Sequence, residues 1–145
     1  MAEVALANGT NRTLLAQKRQ PQVIKLTQVA CQFLESESKD YNFVTKKAAD
    51  CKTANNKNVA ERKKGFKPMR LKAGEYVFRV SNTEVPYELG FYLRGAGISG
   101  AALPRLSGGG LTQGKTLDYK VTLKPGTYVY SCPLNPTPDY PLIVE

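Results

Sequence analysis

Cys132 closes the run Tyr128-Val129-Tyr130-Ser131-Cys132, and a cysteine at the end of an extended segment offers its sulfur to two kinds of chemistry. It can attack an electrophile when a neighbour lowers its pKa, or it can ligate a soft metal ion as a thiolate. A third role is packing, as a small apolar side chain on the face it shares with Tyr128 and Tyr130. General acid–base work has little to draw on, because the chain contains no histidine and no pair of carboxylates stands out at a plausible site. The residues argue against an enzyme.

Two glycine motifs invite a nucleotide reading. Gly95-Ala96-Gly97-Ile98-Ser99-Gly100 matches the dinucleotide fingerprint, and residues 109–116, GGLTQGKT, satisfy the P-loop expression. Both motifs work only where a helix follows, because its N-terminal amides must meet the phosphates. Pro104 and the glycines at 108, 109 and 110 interrupt the first, and Thr116 in the second opens a strand pattern. Neither supports nucleotide binding, and 109–116 reads as an irregular loop between strands.

The elements that must position Cys132 are strands. Leu117, Tyr119, Val121 and Leu123 alternate with Asp118, Lys120, Thr122 and Lys124, which predicts a strand with one buried and one wet face. Pro125-Gly126 breaks that run, and residues 127–132 resume an extended pattern leading into a loop with prolines at 133, 136, 138 and 141. Upstream, Tyr76, Phe78 and Val80 share a face within 75–82, residues 89–93 read as another strand, and 23–33 as the first core strand. Between them, 35–64 turns polar, with pieces that could form short helical turns but carry no apolar stripe.

The hairpin that delivers Tyr-x-Tyr-x-Cys into a proline-rich loop resembles the C-terminal half of a cupredoxin, the blue-copper sandwich. The segment EYVFRVSN at 75–82, followed by Val85-Pro86-Tyr87-Glu88-Leu89, is similar to the family stretch in which the first copper histidine follows a proline. The resemblance covers 72–145 and, loosely, 23–33. It implies an all-β Greek-key β-sandwich, with residues 1–20 as an N-terminal extension and 21–145 as one domain carrying a polar, partly helical insertion at about 35–68. It also implies where a metal would sit. Cys132 takes the position of the thiolate ligand, Tyr87 that of the first histidine, Asn135 that of the second, and Tyr140 that of the axial methionine. A type 1 copper site needs two imidazoles with the thiolate, so the resemblance implies the scaffold without the copper. The expectation is a binding or accessory protein with no cofactor, the alternative being a copper electron carrier with an unusual site at Cys132.

Composition bears on compartment and partners. Cys31 and Cys51 flank a polar segment that has little apolar content to hold itself down, so a disulfide between them is expected, with an oxidising compartment; the other reading has all three cysteines free and buried. The opening residues lack the apolar core and cleavage pattern of a signal peptide, so either the protein is cytosolic or an export signal has been removed; with the disulfide, the localisation expected is periplasmic or extracellular. Asn8-Gly9-Thr10 and Asn11-Arg12-Thr13 match the glycosylation pattern. The formal net charge is +9, with 15 Lys/Arg against 7 Asp/Glu in residues 1–75 and 6 against 5 in 76–145. Arg62, Lys63, Lys64, Lys67, Arg70 and Lys72 form a dense run, read as a basic surface for an acidic protein partner or an anionic membrane. A homo-oligomer is a further partner expectation. Nucleic acid is not expected, because only Phe66 is interleaved in the run where single-strand binders carry several stacking aromatics.

Overall fold

Alternation of apolar and polar residues governs most of the chain, and the computed structural model, which describes residues 20–145, folds those runs into nine strands in two facing sheets. The extension over 1–19, with both Asn-x-Thr patterns, lies outside the described residues. The strands are β1 (Gln22–Val29), β2 (Gln32–Phe33), β3 (Met69–Leu71), β4 (Gly74–Asn82), β5 (Leu89–Gly95), β6 (Leu106–Leu111), β7 (Thr116–Leu123), β8 (Gly126–Ser131) and β9 (Tyr140–Val144), with one α-helix among the described residues, α1 (Ala49–Arg62). One sheet runs β2-β1-β4-β7 and the other β3-β9-β8-β5-β6. β1 lies parallel to β4 and β3 parallel to β9, while the other pairs are antiparallel. The chain crosses between the sheets repeatedly, which gives the expected all-β Greek-key sandwich.

The inward face of each strand supplies the core. Phe78 and Tyr119 stand opposite each other across β4 and β7, and Phe33, Phe91, Tyr130 and Tyr140 fill the space between the sheets. Ring centroids of Phe33 lie 5.6 Å from Tyr130 and 5.7 Å from Tyr140, both edge-on, the geometry aromatic quadrupoles favour. Tyr128, Tyr130 and Cys132 are all buried on one face, as the alternation requires.

Three expectations need correction. Residues 23–33 are not one strand: Cys31 takes a left-handed backbone, φ 68°, and turns the chain back so that β2 pairs antiparallel with β1. The insertion holds a continuous 14-residue helix rather than short turns. The glycines at 108, 109 and 110 lie in edge strand β6, not in an irregular loop; the turn comes after Leu111, where Gly114 takes φ 80°. Thr116 opens β7 and no helix follows the P-loop pattern. The dinucleotide pattern has a packing explanation. A Cβ on Gly95 would collide with the Gly100 backbone, and one on Gly100 with Gly95.

Candidate functional site

The candidate site gathers at the end of the sandwich where β1, β5 and β8 meet the loop after Cys132. Cys132 follows directly on the end of β8 and continues its alternation, which puts every second residue inward, and the loop returns at once. Asn135 N–H and Thr137 N–H both donate to the Cys132 carbonyl, at 3.1 and 3.3 Å, and Cys132 N–H donates to Thr137 Oγ1 at 2.9 Å. The sulfur is fully buried and accepts a hydrogen bond from Gly90 N–H at 3.3 Å. Burial pushes the thiol pKa up, against the opposing pull of backbone amides at Gly90, Asn135 and Leu134. A buried thiol whose pKa is pushed up is a poor nucleophile.

Asn135, expected from the resemblance at the second histidine position, spends its amide on holding the fold together. Its Nδ2 donates to Gln28 Oε1 at 3.0 Å and to the Val29 carbonyl at 2.8 Å, and its Oδ1 accepts from Cys31 N–H at 2.8 Å. Both amide protons are therefore committed. Gln28 continues the chain, donating to the Gly90 carbonyl at 2.7 Å. The β1–β2 turn, the start of β5 and the loop after β8 are thus tied by two buried amides. Sequence reasoning missed Gln28, although it sits at the inward register of β1 with Ile24 and Leu26, and a polar residue on an apolar stripe is a signal for a buried network.

Tyr87 and Tyr140 commit their hydroxyls to other partners. Tyr87 shares a hydrogen bond of 2.8 Å with Thr45 Oγ1 in the insertion. Tyr140 donates to Glu37 Oε2 at 2.5 Å and accepts from Phe33 N–H at 3.2 Å. Of the four residues that the resemblance assigns to ligand positions, the structure brings Asn135 beside Cys132 and leaves the two phenols in other hydrogen bonds.

Arg62 does not belong to a basic surface. Its side chain is 1% exposed and forms a bidentate pair with Glu37, Nε to Oε1 at 2.9 Å and Nη2 to Oε2 at 2.7 Å. It also donates to the Cys31 carbonyl at 3.2 Å and to Asn55 Oδ1, and its guanidinium lies against the rings of Tyr41 and Phe43. The sequence run mixes two environments because α1 ends at Arg62 with that residue facing inward. Lys63, Lys64, Lys67, Arg70 and Lys72 are exposed, with Lys64 paired to Glu61 and Arg70 to Glu145. The disulfide between Cys31 and Cys51 is formed, and Asn55 Nδ2 donates to the Pro136 carbonyl. Disulfide, ion pair and amide together clamp the insertion over the end of the sandwich.

The solved structures similar to this chain decide what the sandwich is. Auracyanin B aligns over 87% of this chain and 91% of its own, at a TM-score of 0.54 and 14% identity. The fold is that of a cupredoxin. A variant of amicyanin in its Cu(I) form aligns over 54% of this chain and 69% of its own, at a TM-score of 0.37 and 25% identity. No family model matches the sequence, and no curated protein does. On this cupredoxin frame the type 1 donor set does not fit. The chain has no imidazole, and the groups at three ligand positions are engaged in hydrogen bonds that coordination would have to break. Among the described residues, no three His, Cys, Asp or Glu side chains come close enough to hold a metal ion. No helix among them is long and apolar enough to cross a membrane.

Burial also sets an alkaline limit on the fold. Tyr130 is pushed up to about 12 by burial, only partly offset by its hydrogen bond with Ser36, and Tyr140 is pushed up further by burial and the Glu37 carboxylate. A phenol whose folded pKa exceeds its unfolded value near 10 contributes stability that is whole below pH 10 and declines as pH rises through the folded pKa. Absorbance titration of tyrosinate is expected to show Tyr130 and Tyr140 ionising only with unfolding, above pH 10. Ionisation of all eight tyrosines near pH 10 in folded protein would contradict the buried network.

Proposed function

We propose that this chain is a non-catalytic cupredoxin-like protein that carries no type 1 copper and acts through its surface, as a binding or accessory subunit of a larger exported or membrane-attached complex. The observation that carries this reading is Asn135. At the position where a second imidazole would coordinate, an amide with both protons committed ties three segments together, so the end of the sandwich is closed by hydrogen bonds instead of a metal. The Cys31–Cys51 disulfide supports an oxidising compartment, periplasmic or extracellular. The insertion supports a binding role, since a segment this long, clamped so firmly and with so little apolar content, adds little to the core of the sandwich.

Copper titration followed by visible spectroscopy tests it. The expected result is no intense blue thiolate band with Cu(II), for the wild type and Cys132→Ser alike, and no stoichiometric copper in protein purified from its native source. A blue band abolished by Cys132→Ser would establish the other reading, an electron carrier with an unusual thiolate site.

A further inference from the structure

We infer that the outer face of the insertion, from residues 43–47 along the exposed side of α1, is a docking surface for an acidic protein; the inference rests on reading the chain as a binding protein. The residues α1 buries are Cys51, Asn55 and Arg62, so no apolar stripe explains why the helix is there. Its outer side is Lys52, Thr53, Asn56, Lys57 and Ala60, all exposed, continued by Lys63. Lys46 and Lys47 precede the helix, also exposed. None of Lys46, Lys47, Lys52, Lys57 and Lys63 lies within ion-pair distance of a carboxylate among the described residues. Of the acids on the helix and just before it, Glu61 pairs with Lys64 and Asp50 accepts the backbone N–H groups of Lys46 and Lys47, which hold its carboxyl below the usual range; the other acid of this face is the exposed Glu84, on the groove beside Val44.

Next to these lysines stands an apolar spot. Val44 is 91% exposed and borders a groove of about 200 Å³ lined also by Ala30, Phe43, Thr45, Val85 and Pro86, with Glu84 at its wall. A largely apolar groove beside five lysines, outnumbering the single carboxylate of Glu84, is the complement of a protein surface carrying a hydrophobic knob within an acidic rim. A membrane would call for a row of large apolar side chains on the outer side of α1, and there the residues are Lys, Thr, Asn and Ala. A single nucleic-acid strand would call for free aromatic faces, but Tyr41 and Phe43 stack on each other and on Arg62. The clamp beneath the face keeps it rigid, so little order has to be gained on binding.

The test uses isotope-labelled full-length protein titrated with a short peptide of glutamates and aspartates around a central leucine. Phosphatidylglycerol vesicles and a single-stranded oligonucleotide serve as competing probes. Amide shifts are expected at 43–47 and along the exposed side of α1. Lys52→Glu/Lys57→Glu/Lys63→Glu is expected to lower affinity about tenfold or more and Val44→Ser about threefold, with binding weakening as salt rises. The proposal is overturned if the peptide does not bind, if the shifts gather on 133–141 or 95–110, or if the charge-reversed protein binds as well as the wild type. Tighter binding of vesicles or oligonucleotide than of peptide overturns it too. Copper titration reads Cys132 and not this face, so failure here leaves that result untouched.

Discussion

Arg62→Met is expected to lower stability by about 3–5 kcal/mol, read as a fall in the urea midpoint with an unchanged slope. The substitution preserves much of the side chain's volume, so the loss comes from what remains. Glu37 stays buried, 2% exposed, with its two guanidinium bonds gone and only Tyr140 donating to it. The Cys31 carbonyl and Asn55 Oδ1 lose donors as well. Against a total stability of about 5–15 kcal/mol for a domain of this size, the variant stands near the edge of folding. Arg62→Met/Glu37→Leu is expected to recover more than half of the loss, because removing both charges leaves no uncompensated ion. If Arg62→Met cost under about 1 kcal/mol, Arg62 would have to be a solvated surface charge and the clamp would not exist.

That residue also marks the boundary of what one-dimensional reading can recover. Leu117 to Leu123 can be placed on faces because strand periodicity is local: each residue's environment follows from its neighbours two positions away. Cys132 and Asn135 are legible as positions because the resemblance carries them, and the absence of histidine is plain from composition. Arg62 is misplaced by sequence alone because its partner, Glu37, lies 25 residues away and nothing local tells a lysine-flanked arginine that it faces inward. The full length of the helix escapes for a related reason, although its helical pieces are legible. α1 is stabilised by a disulfide and polar contacts instead of an apolar stripe, so the periodic signal used to find helices is missing. Gln28 is within reach of sequence reading, since it breaks an apolar register in β1, but its partners at Gly90 and Asn135 are products of tertiary folding.

The covalent half of the clamp is expected to matter as much as the ionic half. Replacing both bridged residues, Cys31→Ala/Cys51→Ala, opens a loop of separation 20, for which loss of cross-link entropy alone is about 3 kcal/mol. Most strands of the sandwich keep their own core, whereas the described core around α1 includes only Cys51, Ala54, Phe43 and Phe66 from the insertion. The loss is therefore expected first in the insertion: amide exchange in α1 should accelerate by two or so orders of magnitude, corresponding to about 3 kcal/mol, while β4, β5 and β8 keep their protection. Because Arg62 donates to the Cys31 carbonyl at 3.2 Å, the two perturbations share a partner. Combined with Arg62→Met, the cysteine pair should cost less than the sum of the separate effects. Strict additivity would mean that bridge and ion pair anchor α1 independently. Uniform loss of protection across both sheets would mean that the insertion is part of the sandwich's own folding unit and not a clamped cap upon it.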